Sequence, residues 1–306
     1  MKILIAEDDV TSLYMLRAVT NKWGYDPVTV EDGGAAWKAL QDPEAPRLLI
    51  LDWKMPIMDG IELCKAIRQQ ETSDPPYIIL LTAQRETHDL VEGLESGAND
   101  YVVKPFDNAE LKARLQVGRR MLALQEELNA TKTQLIHQAT HDSMLGIYNR
   151  GAIINAIEED IERASRTGQV LTIGMLDLDH FKQINDQFGH LAGDEVLCEF
   201  CRRVENSIRP YDHFGRYGGE EFIISSNTGA RDAIELFERI RSNIVDQPFI
   251  YQGQTIPVTT STGLTYFQQE KNLTTLLAEA DAALYSAKQS GRNCVRIYEQ
   301  LTNSQI

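Results

Sequence analysis

Three acidic residues occupy positions from which they could bind metal ions beside a nucleotide. Asp177 ends an apolar run, 170–177, that predicts a strand, and Glu220 and Glu221 follow a pair of glycines that predicts a hairpin turn. If the strand and the hairpin are neighbours, the three carboxylates converge. Such a set suits two Mg²⁺ ions, which can activate an attacking hydroxyl and stabilise a pyrophosphate leaving group.

Glycines and basic residues accompany these acids. Gly218 and Gly219 carry no side chains, so a nucleotide can approach the backbone of the turn. Lys288 and Arg292 stand four residues apart near the predicted end of a helix, where they could neutralise terminal phosphates. The pattern therefore indicates a site for a nucleotide and its phosphates.

An amide and a carboxylate between these elements could select the base. Asn185 and Asp194 are nine residues apart, across a predicted break at Gly189–Gly193. A carboxylate can accept hydrogen bonds from N1–H and N2–H₂ of guanine, whereas adenine offers no donors there and is rejected. The pair therefore favours guanine.

A second acidic group lies in the first third of the chain, where apolar runs end in polar residues. The carboxyl ends of parallel strands meet at one edge of a sheet, so we expect these residues to share a pocket. Clustered carboxylates repel one another unless a cation lies among them, and Mg²⁺ prefers such oxygen ligands. A carboxylate beside Mg²⁺, with a lysine and a hydroxyl nearby, can accept a phosphoryl group. The residues are Glu7, Asp8 and Asp9 after the first run, Asp52 after the third, Thr82 after the fourth and Lys104 after the fifth.

Residues 1–106 alternate between apolar runs and amphipathic stretches. This alternation is typical of a doubly wound α/β fold with a five-stranded parallel sheet. The predicted strands are 2–6, 26–30, 47–52, 77–82 and 100–104, and the predicted helices extend to Trp23, start at Gly33, and cover 59–70 and 86–96.

Residues 107–140 contain no proline and a single glycine, so they predict one long helix. Side chains at alternating spacings of four and three form a heptad seam along it. Two interpretations remain open: a coiled coil with a second chain, which we favour, or an amphipathic helix packed on its own domain. The seam consists of Val117, Met121, Leu124, Leu128, Thr131, Leu135 and Gln138.

Residues 141–300 predict a different architecture, an α+β domain with a largely antiparallel sheet. Cys198 and Cys201 fall in one of its amphipathic helices and are interpreted as packing residues, because a zinc site would need two further close ligands. The predicted elements are a strand at 170–177, two helices up to 208, a hairpin at 216–225, a helix at 230–246, strands at 249–252 and 255–267, a helix at 273–290 and a last strand at 294–298.

The composition is that of a globular protein and disfavours several classes. Of the 306 residues, 42% are hydrophobic and 25% charged, and the formal net charge is −15. Acidic residues outnumber basic ones on both sides of residue 140, so we expect no nucleic-acid partner. No long apolar run or apolar signal core is present, and the four cysteines fit a reducing compartment, so we expect a cytoplasmic protein without a membrane span.

The first part of the chain resembles the response-regulator receiver family. The matching segments are ILIAEDD, ILDWKMPIMDG, LLTA and DYVVKPF, in this order. The resemblance implies that Asp52 accepts a phosphoryl group from a histidine kinase. The implied ligands of one Mg²⁺ are Glu7, Asp8, Asp52 and the Lys54 carbonyl, and the implied switch residues, which contact or report the phosphoryl group, are Thr82, Tyr101 and Lys104.

The region 141–300 resembles the GGDEF domains of diguanylate cyclases, which have a polymerase-palm-like fold. The matching segments are HDSMLGIYNR, DLDHFKQINDQFGHLAGDE, RYGGEEF and ADAALYSAKQSGRN, and the one departure is Met144-Leu145, where the family usually has Leu-Thr. The resemblance implies catalysis by Asp177, Glu220, Glu221 and Lys182, two Mg²⁺ bound by Asp177, Leu178, Glu220 and Glu221, and GTP bound by Phe181, Lys182, Asn185, His190, Asp194, Gly218, Gly219, Lys288 and Arg292.

An RxxD sequence precedes the glycine turn and suggests feedback control. Arg209 and Asp212 stand at its ends, and Arg209 lies nine residues before Gly218. The GGDEF family often binds its product, cyclic di-GMP, at such a motif, and it supplies a second arginine from the following helix. We therefore expect Arg209, Asp212 and Arg239 to form a product-inhibition site.

The sequence thus predicts a receiver domain at 1–116, a coiled-coil linker helix at 117–140, a GGDEF domain at 141–300 and a tail at 301–306. The predicted function is a diguanylate cyclase regulated by phosphorylation, in which a homodimer brings two GTP molecules together. The alternatives are a catalytically inactive cyclic di-GMP receptor and a scaffold that only dimerises. The receptor is disfavoured because the signature acids and the Asn185–Asp194 pair are all present.

Overall fold

A computed structural model describes residues 1–70, 72–83, 93–267 and 271–298. The chain forms two compact units, Met1–Gln134 and Leu135–Ile306. Most of the helix predicted at 86–96 and the whole tail predicted at 301–306 lie outside the described residues. None of the described helices is long and apolar enough to cross a membrane.

A five-stranded parallel sheet forms the centre of the first unit, in the order β2-β1-β3-β4-β5, which confirms the predicted fold. Every residue of β3 and β4 is buried, as expected for central strands that are covered on both faces. The strands are β1 (Lys2–Ala6), β2 (Asp26–Val30), β3 (Leu48–Asp52), β4 (Tyr77–Thr82) and β5 (Asp100–Val103), and helices α1 (Val10–Lys22), α2 (Gly33–Ala39) and α3 (Gly60–Gln69) follow the first three.

An aspartate caps the N-terminus of each of these three helices. Asp9, Asp32 and Asp59 each accept a hydrogen bond of 2.7–2.8 Å from the backbone N–H three residues ahead. Each cap satisfies an N–H group that has no partner within the helix, so it fixes where the helix starts beside the strand ends. The carboxylate of Asp9 is therefore engaged in capping.

A single helix, α4 (Asn108–Thr140), continues from the first unit into the second. Its buried face consists of Leu111, Leu115, Gly118 and Leu122, so its first half packs on the parallel sheet. A Cβ atom at Gly118 would lie 2.6 Å from the Tyr77 ring, which explains the glycine.

The predicted heptad seam lies on another face of α4 from these buried residues. Its apolar members are all exposed, with 59% of Leu124 and 61% of Leu128 accessible. The helix thus packs on its own unit and also leaves an apolar stripe uncovered, and the coiled coil stays a prediction. The exposed apolar seam residues are Val117, Met121, Leu124, Leu128 and Leu135.

The second unit contains a five-stranded sheet in the order β12-β11-β6-β8-β7, antiparallel except for the β11–β12 pair. A separate hairpin pairs β9 with β10. The strands are β6 (Thr172–Leu178), β7 (His213–Arg216), β8 (Glu221–Ser226), β9 (Phe249–Tyr251), β10 (Gln254–Ile256), β11 (Thr260–Tyr266) and β12 (Val295–Ile297), and the helices are α5 (Arg150–Thr167), α6 (Phe181–Phe188), α7 (His190–Glu205), α8 (Ala230–Val245) and α9 (Leu273–Gln289).

Three details differ from the sequence-based elements. The segment 255–267 is two strands in two sheets, since Pro257 between them has no N–H to donate to a ladder. The predicted break at Gly189–Gly193 is confined to Gly189, whose φ is +86°, because Gly193 lies inside α7. Helix α5 was not predicted, although Asn149 caps it in the ordinary way.

Candidate functional site

The acidic pocket of the first unit forms as predicted at the carboxyl ends of the strands. Glu7 follows β1, Asp52 ends β3, and the Lys104 ammonium follows β5. Lys104 Nζ lies 2.6 and 2.8 Å from the two Glu7 oxygens and 2.9 Å from Asp52 Oδ2. Glu7 is 1% exposed and Asp52 8%, so one lysine faces two buried carboxylates.

Burial governs the protonation of this pocket. Desolvation raises the pKa of Glu7 to about 7, against the hydrogen bond from Lys104. Desolvation also disfavours the charged form of Lys104, but its hydrogen bonds to Glu7 and Asp52 outweigh that effect and raise its pKa. The lysine is therefore held charged, while Glu7 still lacks part of its counter-charge.

The oxygen atoms of this pocket fit a divalent ion. Ligand atoms of Glu7, Asp8 and Asp52 all lie within 4.8 Å of one another, and among the described residues this is the one group of three potential metal-binding side chains at such spacing. The Asp8 carboxylate is exposed, and Asp52 and Glu7 are buried. Mg²⁺ is a hard cation that prefers oxygen ligands and keeps some of its water molecules, so this partly exposed set of carboxylates suits it.

The remaining predicted residues surround the pocket. Thr82 is buried at the end of β4, and its carbonyl accepts a hydrogen bond of 2.7 Å from the Lys104 N–H. Lys54 is exposed two residues after Asp52, and Tyr101 is half-buried against the core on the α3 side of the sheet. The Lys104–Pro105 peptide is cis.

The acids of the second unit lie side by side on two paired strands. Asp177 of β6 and Glu221 of β8 are direct partners in the antiparallel register, and the Leu178 N–H donates to the Glu220 carbonyl at 3.3 Å. Asp177 is only 4% exposed, whereas Glu220 and Glu221 are half-buried. The predicted neighbourhood of strand and hairpin is thus present.

A lysine of α9 supplies the nearest positive charge. Lys288 Nζ lies 2.7 Å from Asp177 Oδ2. Burial raises the pKa of Asp177, Glu221 and Asp179 add to the rise, and Lys288 opposes it. Burial and the nearby Asp177 likewise raise the pKa of Glu220. These carboxylates therefore lack counter-charge. Carboxylate oxygens are ligands that Mg²⁺ prefers, but the ligand atoms here lie farther apart than those of Glu7, Asp8 and Asp52 in the first unit.

The glycine turn is fixed by an arginine that the sequence analysis did not single out. Arg216 donates from Nε to the carbonyls of Gly218 and Gly219, both at 3.1 Å, and from Nη2 to Gly219 at 2.7 Å. Its Nη1 donates to Asp142 Oδ2 at 2.9 Å. A Cβ atom at Gly218 would meet Glu221 Oε2 at 2.6 Å, so this glycine makes room for the carboxylate. The position of Arg216 two residues before the glycines was the available signal.

The two predicted guanine-binding residues come together at the α6–α7 corner. Asn185 lies in α6 and Asp194 in α7, and a Cβ atom at Gly193 would lie 1.9 Å from Asn185 Oδ1. Gly193 therefore lets the amide lie directly against the first turn of α7. Asp194 is exposed and Asn185 is half-buried, so both are accessible to a base.

The other predicted nucleotide contacts fall into two groups. Lys182, His190 and Arg292 are exposed and accessible to phosphates or ribose. The Phe181 side chain is 6% exposed and packs in the core, so only its backbone could contact a nucleotide. It begins α6, whose N-cap residue His180 provides no side-chain cap, so an anion could bind to the free N–H groups there.

The RxxD residues are divided in their roles. Asp212 is buried, and its carboxylate accepts from the Arg209 N–H at 2.8 Å and from the Ser226 hydroxyl at 2.7 Å. The Arg209 side chain is exposed and donates to the Tyr211 hydroxyl at 3.0 Å. Arg239, also exposed, donates to the Ser207 carbonyl at 2.7 Å. Arg209 thus lies within the segment 207–212 and Arg239 contacts its first residue, while Asp212 stabilises its turn.

Two family models match this chain. The response regulator receiver domain matches residues 3–116, and the diguanylate cyclase GGDEF domain matches residues 139–294. The chain is 32% identical over 252 residues to the response regulator PleD of Caulobacter vibrioides. This match covers 81% of this chain and 56% of PleD. It is also 35% identical over 193 residues to the diguanylate cyclase DgcP of Pseudomonas aeruginosa, and this match covers 61% of this chain and 29% of DgcP.

A solved structure also resembles this chain. It contains the coiled coil and GGDEF domain of DgcB from Caulobacter crescentus in complex with c-di-GMP, with a TM-score of 0.57 and 28% identity. The match covers 61% of this chain and 98% of that chain. This chain thus spans only 56% of PleD and 29% of DgcP, the two curated relatives above.

Proposed function

Because the chain belongs to the diguanylate cyclase GGDEF domain family and carries an N-terminal response regulator receiver domain, we propose that it is a diguanylate cyclase regulated by phosphorylation. It converts two GTP molecules into cyclic di-GMP and two pyrophosphates. A catalytically inactive receptor would instead bind cyclic di-GMP without releasing pyrophosphate from GTP.

The pairing of Asp177 with Glu221, with Lys288 beside Asp177, is the observation that carries this proposal. It combines two carboxylates and a cation next to a glycine turn that leaves the backbone open. Two Mg²⁺ ions bound by these acids would activate the attacking 3′-hydroxyl and stabilise the pyrophosphate leaving group. Lys288, with Arg292 on the segment that follows α9, is placed to bind phosphate oxygens.

The base and the phosphates are bound by different elements. Asn185 and Asp194 select guanine at the α6–α7 corner, and Asp194 accepts from N1–H and N2–H₂. Lys182 and the backbone at the start of α6 bind the phosphate chain, with His190 completing the nucleotide site. This arrangement supports GTP as the substrate and disfavours ATP.

One such site holds one GTP, so the reaction requires two copies of the domain. Each 3′-hydroxyl must attack the α-phosphate of the other GTP, and a homodimer provides the second site. The exposed apolar stripe of α4 supports pairing of two chains, because burying Leu124 and Leu128 between helices stabilises a dimer by removing apolar surface from water.

Phosphorylation of Asp52 by a histidine kinase is the proposed control. The buried carboxylate with Lys104 2.9 Å away and an adjacent site for one Mg²⁺ supports this role. Thr82 and Lys104 then bind the phosphoryl oxygens, and Tyr101 reorients. The change alters how two receivers pair and therefore how the linker helices and cyclase domains meet.

Cyclic di-GMP is also the proposed inhibitor, bound through Arg209 and Arg239. An arginine can bind a phosphate oxygen or the Hoogsteen edge of guanine with two hydrogen bonds. Both arginine side chains are exposed, which supports their availability. In the described conformation Asp212 stabilises the turn that presents Arg209, and it contacts product only by releasing the Ser226 hydroxyl or the Arg209 N–H.

The test is product analysis with purified full chain, GTP and Mg²⁺. We expect one pyrophosphate for each GTP consumed and cyclic di-GMP as the nucleotide product, and no turnover with ATP. Binding of cyclic di-GMP without pyrophosphate release would identify a receptor instead and would contradict the proposal.

A further inference from the structure

Asp179, two residues beyond Asp177, connects three segments around the cyclase site. Its carboxylate is 4% exposed. Oδ1 accepts from the Ser261 hydroxyl at 2.7 Å, and Oδ2 accepts from the Thr259 hydroxyl at 2.7 Å and from the Asn293 N–H at 3.0 Å. Both oxygens of this buried carboxylate accept hydrogen bonds from the protein, so it forms a junction between these segments.

The Asn293 N–H belongs to the segment that carries a phosphate-binding cation. Arg292 and Asn293 have φ angles of +66° and +47°, in the left-handed region that ordinary residues rarely adopt. Such backbone strain persists only where the surroundings hold it in place. The hydrogen bond from Asn293 to Asp179, another from Arg241 Nη1 to Asn293 Oδ1 at 3.1 Å, and the Arg292 N–H bond to the Ala287 carbonyl at 3.2 Å hold this turn.

The same carboxylate fixes the opposite side of the site. The Asp179 N–H donates to the Thr259 carbonyl at 2.9 Å, so backbone and side chain both join the end of β6 to the start of β11. β6 carries Asp177 at its end. Asp179 therefore determines the separation between the metal-binding carboxylate and the turn with Arg292.

We propose that Asp179 is a positioning residue that holds the Arg292 turn against the metal-binding end of β6, so that the Arg292 guanidinium contacts the terminal phosphates of the nucleotide. This role rests on the proposed function. It is distinct from metal binding, because both Asp179 oxygens are occupied by donors of the protein itself. Its effect is confined to the triphosphate, since the guanine-binding residues lie on α6 and α7.

The experiment compares two nucleotide probes by calorimetry with the full chain in Mg²⁺. One probe is the α,β-methylene analogue of GTP, which cannot release pyrophosphate, and the other is GMP. Asp179→Ala should weaken binding of the triphosphate probe about tenfold or more, because the Arg292 turn is no longer held and Arg292 loses its charge-assisted contact with the phosphates. It should change GMP binding by less than about twofold. KM for GTP should rise with it.

Two further variants separate positioning from charge and from stability. Asp179→Asn should restore binding, because the amide oxygen can face Thr259 and Asn293 while its NH₂ donates to the Ser261 hydroxyl. Asp160→Ala is the matched control, since Asp160 is 2% exposed and accepts a bond of 2.7 Å from the Ser225 hydroxyl on another part of the sheet. It should lower the melting temperature without changing either affinity.

The outcomes differ clearly. Equal weakening of both probes, or failure of Asp179→Asn to restore the affinity, would overturn the positioning role. If Asp179→Ala does not fold, Thr259→Val should weaken the triphosphate probe in the same direction and Thr259→Ser should restore it. A parent chain that binds neither probe would overturn the proposed function itself, and this inference with it.

Discussion

The two acidic sites of this protein both place a lysine beside carboxylates, but they differ in how deeply these carboxylates are buried. In the receiver, Lys104 contacts two carboxylates that are almost completely buried, Glu7 and Asp52. In the cyclase domain, Lys288 contacts one buried carboxylate, Asp177, and leaves two half-buried acids beside an open turn. The acids of the first site are buried except for the exposed Asp8, whereas in the second only Asp177 is buried.

The difference follows from the sheets that carry the acids. Parallel strands bring their carboxyl ends to one edge, so single residues from β1, β3 and β5 meet in a narrow pocket suited to one cation and one phosphoryl group. The antiparallel β6–β8 pair places Asp177 and Glu221 beside the glycine turn, where the proposed reaction needs room for a nucleotide and a second copy of the domain. In the proposed function the buried strand-end site serves switching, and the more exposed site beside the glycine turn serves catalysis.

Removing the charge of Asp177, the buried acid proposed to bind metal, should have the largest effect. Asp177→Asn keeps the size of the side chain but lowers the affinity for metal, so we expect pyrophosphate release to fall by about a hundred- to a thousandfold. All three tryptophans lie in the receiver. Their fluorescence change on Mg²⁺ addition should therefore be unaltered, and near-native turnover would refute the metal-site assignment.

The linker should give the next largest effect, on chain pairing. Leu124→Glu with Leu128→Glu places ions in the proposed helix seam, where they would be buried without partners, so the dimer dissociation constant should rise at least about a hundredfold. Analytical ultracentrifugation measures this. The control is Ala123→Glu with Ala130→Glu, which adds the same charge at exposed positions off the seam. Equal effects of both double variants would mean that the seam is not the interface.

A smaller effect is expected at the product site. Arg209→Ala should weaken inhibition by cyclic di-GMP about ten- to a hundredfold, because one charge-assisted contact is lost. The initial rate at low product should stay the same. Asp212→Ala, in contrast, should also destabilise the fold, since it leaves the Ser226 hydroxyl and the Arg209 N–H without their acceptor. Progress curves and thermal melts with both variants distinguish the roles, and unchanged inhibition in Arg209→Ala would rule out the site.

The smallest change in basal rate is expected for the phosphoacceptor. Asp52→Asn cannot accept a phosphoryl group, and the cyclase residues are untouched, so the unstimulated rate should stay within about twofold of the parent rate. A small-molecule phosphodonor should stimulate the parent and leave this variant unchanged. Equal stimulation of both proteins would show that Asp52 is not the switch.

Regular elements and strand-end acids could be predicted from the sequence because each rests on a local pattern. Apolar runs that end in Asp52 or Asp177 indicate both a strand and an acidic side chain at or next to its end. The glycine pair before Glu220 specifies the turn in the same way. These signals need no knowledge of distant contacts.

Residues that act through long-range hydrogen bonds could not be predicted in this way. The partners of Asp179 include Ser261 in β11 and Asn293 after α9, both more than eighty residues away, and no residue close to Asp179 in the sequence indicates these contacts. Asp212 was assigned to product binding from its motif alone, yet its carboxylate is engaged by Ser226 across the β7–β8 region. The buried face of α4 was also not predictable from spacing, because the residues packed on the sheet and the exposed seam repeat at the same intervals of four and three, and only contacts such as those of Gly118 with Tyr77 and Leu48 distinguish them.

In the proposed function, the state of the receiver pocket controls the cyclase site. The most direct measurement is turnover of GTP by the purified full chain with and without beryllofluoride, a phosphoryl mimic, together with the mass in solution under both conditions. The account predicts faster pyrophosphate release with beryllofluoride in the parent and no response in Asp52→Asn. Equal turnover of the parent chain with and without the mimic, despite its binding at Asp52, would contradict it.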